Sequence, residues 1–497
     1  MKQQAAYELM INTVRRTQQL GSALSLLAWD NETIRPPKGA DARAQVMGSL
    51  ATEAFRIATA PEYGEALDIL AAQQAADPDA FSELDSRMLE EELTDYQRFS
   101  RIPTEEYEKY QVLTAGAHST WVQAKTDDDF TLFAPVLAQI IEYEKRFASY
   151  WGFEHDPYDG LLSEYDPDML GAQIDPIFAR LLEGTRALME QLPEQAPPLA
   201  LRLEPAEQKA LALYLLGEIG YDLQAGNLFE TEHPFTSRIH AGDARVTTHY
   251  YPDQPTSSIF SVLHEGGHGI VEQNISPELD GTNMINVRMS VHESQSRFFE
   301  NIIGRSRAFW DSRFAEASRI AGQPLARDAQ QFWRSINAMK PSLIRIEADE
   351  LTYAMHIIIR YEIERALFNE GLAVSDLPEV WNQKYQQYLG VVPATDAQGV
   401  LQDVHWSGGS FGYFPSYALG NLIGAQLAAT AAEELGSFDT LLPTAEGLGQ
   451  VRHWLNEKVH RRGALTKPAD LLLQVTGSEL DPTFFLDYMA EKIAALR

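Results

Sequence analysis

A mainly α-helical fold is what this sequence predicts, and three observations carry that prediction. Apolar residues recur at helical spacing through most of the 497 residues. Short turns marked by Pro or Gly, such as Ile102-Pro103 and Glu370-Gly371, punctuate the periodic stretches. Only one region, 233–251, alternates like a strand, with Arg245-Val246-Thr247-Thr248 as its β-branched centre.

Taken in order, the first helical stretch covers 2–33 as one helix or two, and Pro36, Pro37 and Gly39 stop it. The next opens near Ala40 and ends near Ile57. Helices are then expected over 63–75, 80–98, 103–124, 130–152, 171–192 and 204–222. The 233–251 segment reads as a small hairpin or sheet. After it the helical pattern returns over 307–321, 325–338, 342–369, 375–388, 416–435, 446–461 and 482–496. No Pro/Ser/Gly linker, internal repeat or low-complexity tract divides the chain, so one domain over 1–497 is expected, with room for two lobes around a cleft.

Composition narrows the function. Forty basic against 71 acidic residues leave a net charge of −31, a surface that repels phosphate backbones, so nucleic acid is not an expected partner. With no cysteine, disulfides, thiolate ligands and a cysteine nucleophile are all excluded. Any metal site must be built from His, Asp or Glu. The first 30 residues lack the pattern of a signal peptide, and no run approaches the roughly 20 apolar residues of a membrane span. A soluble, cytoplasmic protein is the expectation.

The strongest chemical signal is His264-Glu265-Gly266-Gly267-His268. On a helix, positions i and i+4 share a face, so both imidazoles can reach one ion. Glu265 sits about 100° around from His264, where a general base for a metal-activated water belongs. Ile259, Phe260, Leu263, Ile270 and Val271 give the helix its buried faces. Three glycines (266, 267, 269) weaken it by about 1 kcal/mol each relative to Ala, which close approach of another helix or a substrate would explain. The third ligand is open on spacing alone: Glu272, Glu278, His292 and Glu293 are candidates. His292 and Glu293 point about 100° apart, so one of the two, not both, would serve. Arg297, one turn after Glu293, is placed to orient it, or else to make an ordinary helix ion pair.

HEGGH followed by His292-Glu293-Ser294-Gln295 closely resembles the carboxypeptidase Taq family of metallocarboxypeptidases. Further motifs fall in the same order: His233-Pro234-Phe235, Asp243-Ala244-Arg245-Val246-Thr247, Ile344-Arg345-Ile346-Glu347-Ala348-Asp349, and Gly399-Val400-Leu401-Gln402-Asp403-Val404-His405-Trp406. With Trp29-Asp30 near one end and His460-Arg461-Arg462-Gly463 near the other, the resemblance covers nearly the whole chain. It implies one large helical domain with a deep substrate groove, gluzincin-like and neurolysin-like, with the small sheet near the metal site. It also implies a homodimer and the release of single residues from peptide C-termini. Glu293 becomes the third ligand beside His264 and His268, and His292 a supporting residue. Zn2+ is the implied ion, with Co2+ as a substitute.

The remaining motifs supply substrate contacts. A carboxypeptidase must hold a free α-carboxylate, for which the planar fork of Arg is best suited. Arg345 and Arg245 are the candidates. Arg345 is read as helical, with acids at 347, 349 and 350 as its alternative partners. Arg245 is read as pairing with Asp243 to shape the groove, on an edge strand that binds substrate backbone. His405 and Tyr417, with Tyr413 beside them, lie in a Gly- and aromatic-rich stretch suited to an active-site wall; His405 is read as a donor to the substrate carboxylate or the tetrahedral oxyanion, and the tyrosines as oxyanion donors. The alternatives are an endo-oligopeptidase with the same metal site, and a helical peptide-binding scaffold without catalysis.

Overall fold

The computed structural model describes residues 1–167 and 169–497. It is 69% helical with one three-stranded sheet, which is the predicted class. The chain folds into two compact units, each assembled from three separate segments of sequence.

The first unit comprises Met1–Ser100, Leu199–Ile336 and Leu427–Gly477. Its opening helix is continuous over Gln3–Thr33 and ends before Pro36, since a residue preceding proline is disfavoured in helical geometry. Helix Pro61–Ala76 packs on it, and Ala6, Met10, Val14, Leu67 and Leu70 form a core with Met88, Leu89 and Met284. The sheet has strand order β1-β3-β2, with β1 (Leu228–Glu230), β2 (Thr236–His240) and β3 (Asp243–Thr248). β2 and β3 form the expected antiparallel hairpin, while β1, unforeseen, runs parallel to β3. Arg245 therefore sits on the central strand, not on an edge. Both ladders of β3 are occupied, so binding of a peptide backbone by an edge would fall to β1 or β2.

Helix Pro255–Asn274 packs on this sheet and on helix Pro205–Ile219. Helix Met289–Arg297 lies against it and runs on into a π-helical turn, Phe298–Ile303. The glycines of the first motif explain the contact. A Cβ on Gly267 would stand 2.8 Å from the Gln295 carbonyl oxygen and 2.8 Å from Ser296 Cα. These are backbone atoms, which cannot step aside, so the two helices meet backbone to backbone only because position 267 is glycine.

The second unit comprises Arg101–Pro198, Asn337–Gln426 and Ser478–Arg497. Its central helix, Tyr353–Asn369, is buried over most of its length, with His356, Arg360 and Glu364 enclosed among its apolar residues. Expected from 342, this helix begins eleven residues later. Asp349 accepts from the backbone N–H groups of Leu351 and Thr352 (3.0 Å each) and from the Thr352 hydroxyl (2.7 Å), holding a turn that the helix must follow. Arg345–Glu347 is consequently a separate single 3₁₀ turn. The buried pair Lys492–Glu350 (2.6 Å) fastens the C-terminal helix Thr483–Leu496 to this unit.

Candidate metal centre and active site

In the first unit, helix Pro255–Asn274 presents His264 and His268 on one face, and helix Met289–Arg297 brings Glu293 against them. One ligand atom from each of the three lies within 4.8 Å of the others. Glu293 Oε2 is 3.7 Å from His264 Nε2 and 3.4 Å from His268 Nε2. The other carboxylate oxygen accepts from Arg297 Nε at 2.7 Å. Burial alone would push the Glu293 carboxyl up, but the Arg297 charge and the two imidazoles hold it well below the usual range, so it is an anion at neutral pH.

Each imidazole is oriented from behind. His264 Nδ1 donates to Glu300 Oε2 (2.9 Å), which turns the Nε2 lone pair toward Glu293. Glu300 also receives Arg297 Nη1 (3.1 Å) and Arg305 Nη2 (3.3 Å); against the cost of burial, Arg297 and His264 bring its pKa down to about 2. His268 Nδ1 is hydrogen-bonded to His292 Nδ1, and His292 Nε2 donates to Glu272 Oε1 (2.7 Å). His292 and Glu272, both weighed as ligands, thus stand behind His268. Glu278 is exposed and outside the cluster. Two imidazoles and a carboxylate, each with a hydrogen-bonded second partner, are a donor set that fits a tetrahedral catalytic ion with one position open.

Glu265 lies beside this set and is 7% exposed. Thr236 on β2 donates its hydroxyl to Glu265 Oε2 (2.7 Å) and stands 3.0 Å from the Glu265 carbonyl oxygen. Burial raises the Glu265 carboxyl and the Thr236 bond opposes the rise; the net is upward. A carboxylate with a raised pKa is a better proton acceptor, which is what a general base requires.

On the same sheet, Arg245 makes a two-pronged pair with Asp243, 2.7 Å at each prong, and its guanidinium lies 4.4 Å from the centre of the Trp29 ring. This is the i, i+2 pair expected of a strand.

The other predicted residues lie in the second unit. His405 opens a short turn, His405–Gly408, after which Gly409 and Gly412 take positive φ (79° and 77°) before helix Phe414–Leu435 starts. His405 Nε2 is 3.4 Å from the Tyr417 hydroxyl. The Tyr413 ring packs edge-on to Tyr417, with centroids 5.2 Å apart. Burial lowers His405 to a pKa of about 4, with Arg345 and Arg360 adding to that and Asp403 opposing it, so it is neutral at pH 7. Arg345 is buried and paired with Asp403, not with the acids at 347, 349 or 350. Asp349 is spent on the turn before the helix and Glu350 on Lys492.

Thr236, Glu300 and Arg360 were not found from the sequence. Glu300 had a usable signal: it stands seven residues, or two turns, beyond Glu293 and so on the same face. Thr236 and Arg360 had none, because each acts on a residue distant in sequence.

The sequence matches the family model described as carboxypeptidase Taq (M32) metallopeptidase over residues 10–493. It is 43% identical over 492 residues to carboxypeptidase 1 of Bacillus subtilis, covering 97% of both chains. It is 38% identical to thermostable carboxypeptidase 1 of Thermus thermophilus over the full length of both. The fold superposes on the crystal structure of an M32 carboxypeptidase from Deinococcus radiodurans with a TM-score of 0.92, at 32% identity, covering 99% of each chain.

Proposed function

This chain belongs to the carboxypeptidase Taq (M32) metallopeptidase family, and we propose that it releases single residues from free peptide C-termini with Glu265 as general base. Membership makes it a metallocarboxypeptidase, a hydrolase of peptides. One observation carries the mechanism: the cluster of His264, His268 and Glu293, with the raised, Thr236-bound Glu265 next in sequence to the first ligand.

Zinc is our choice of ion, because two imidazoles and one carboxylate are a common catalytic zinc set. When bound, it supplies Lewis acidity, bringing the pKa of a water down to about 7 and polarising the scissile carbonyl. Glu265 takes the proton of the attacking water and passes it to the departing amine nitrogen. Thr236 holds the Glu265 carboxylate in one orientation for both transfers. Neutral His405 and the Tyr417 hydroxyl donate to the developing oxyanion, with Tyr413 lining the wall beside them. Arg345 takes the terminal carboxylate, and the Asp243–Arg245 pair shapes the substrate path. The family match runs through both units, so the chain is read as one catalytic domain. We also propose cobalt as a substitute ion and a homodimer, as the family resemblance implies, and a cytoplasmic location, since the absence of cysteine suits a reducing compartment. Among the described residues no helix is long and apolar enough to cross a membrane.

Mass spectrometry of an N-blocked peptide and its C-terminally amidated twin, each incubated with Zn- or Co-loaded protein, tests the reading. The free acid should give a ladder of single C-terminal losses while the amide stays intact. Internal cuts in both would make the protein an endo-oligopeptidase, and two intact peptides would remove the activity.

A further inference from the structure

Arg345, read as the carboxylate anchor, already has an anionic partner. Its Nε and Nη2 are each 2.9 Å from Asp403 Oδ1, and Nη1 donates to the Tyr353 hydroxyl (3.1 Å). A buried guanidinium neutralised by a buried carboxylate has little attraction left for a second one. Asp403, however, is shared. Arg360, with no exposed surface, donates Nε to Asp403 Oδ2 at 2.7 Å and holds Nη2 2.6 Å from the same oxygen. Its Nη1 donates to the His356 carbonyl (2.7 Å), and its guanidinium lies over Trp381, so it cannot swing away.

The neighbouring charges keep the balance positive. Lys125 Nζ donates to the Gln402 carbonyl (3.0 Å), one residue before Asp403. Glu364, one turn beyond Arg360, accepts from Trp406 Nε1 (2.7 Å), the Tyr158 hydroxyl (2.7 Å) and the Gly412 N–H (3.0 Å). Arg345, Arg360 and Lys125 therefore stand near Asp403, and Arg360 also near Glu364, so three cations outnumber the two carboxylates by one even with Glu364 ionised. His356 and His405, both pushed down by burial, add no charge at neutral pH.

We infer that Arg360 is a specificity-determining positioning residue: by sharing Asp403 it leaves Arg345 with unbalanced charge for the α-carboxylate of the peptide. The inference rests on reading Arg345 as the anchor. Arg360 itself touches no substrate. It keeps one carboxylate from cancelling the charge that a second must find.

The test is kcat and KM on a free-acid peptide, with a thermal melt for every variant. Arg360→Met should raise KM about 10- to 100-fold, the scale of one charge-assisted interaction, with kcat little changed. Arg360→Lys, which keeps the charge, should hold KM within a few-fold of the parent. Arg360→Met combined with Asp403→Asn restores the surplus charge and should bring KM back. A merely structural Arg360 would not be rescued by removing a second buried partner. An unchanged KM in folded Arg360→Met, or no recovery in the folded double variant, overturns the inference. Should Arg360→Met fail to fold, Asp403→Asn decides: an equal or lower KM supports the inference, and a higher one overturns it. Arg345→Met separates the premise from the inference. If its KM is unchanged, the anchor reading has failed; if its KM rises while that of Arg360→Met does not, only the role of Arg360 has failed.

Discussion

Glu265→Gln is expected to lower kcat by about 10²- to 10⁴-fold, the usual contribution of a general base, while KM and metal content change little. The substitution keeps the shape of the side chain, and the Thr236 hydroxyl, 2.7 Å from Oε2 in the parent, can still donate to the amide oxygen. What is lost is the ability to take a proton from water and return it to the amine. Steady-state kinetics on a free-acid peptide, with metal analysis of the same sample, would check this. A kcat within a few-fold of the parent would mean that the proton moves by another route.

Glu293→Gln should have the second large effect, and on a different quantity. The residue is 1% exposed and directs one oxygen toward both imidazoles and the other toward Arg297. Gln removes the negative charge that makes this position a ligand and breaks the ion pair with Arg297, which keeps its contact with Glu300. Loss of partners behind the ligands in metal sites typically weakens binding 10- to 100-fold, so loss of a ligand itself should weaken it by more than about 100-fold. Activity at micromolar zinc should fall with it. Competition with a zinc indicator measures the affinity, and a melt of the metal-free protein shows whether the fold is intact. Affinity within about tenfold of the parent would remove Glu293 from the donor set.

Much of this arrangement was legible in the sequence, because helices declare themselves through local periodicity. The HEGGH motif lies on the expected helix, and its glycines forecast a close approach that Gly267 makes with the backbone of Gln295 and Ser296. Strand β1 escaped notice because three residues are too few to show alternation, and its parallel partner lies 18 residues away. The apolar pattern that predicts a helix from 342 runs on through Asp349, a turn-former whose carboxylate takes backbone N–H groups that a helix would otherwise use. The Arg345–Asp403 and Arg360–Asp403 pairs span 58 and 43 residues. Local spacing carries no trace of such pairs and points instead to the nearby acids at 347, 349 and 350.

The central claim is that one ion is held by His264, His268 and Glu293. Anomalous diffraction at the zinc edge, on crystals grown with zinc, tests it most directly. The account predicts a single strong peak about 2.0–2.2 Å from His264 Nε2, His268 Nε2 and Glu293 Oε2. A peak ligated by His292 or Glu272 in place of Glu293, or no peak at this cluster with zinc in excess, would contradict it.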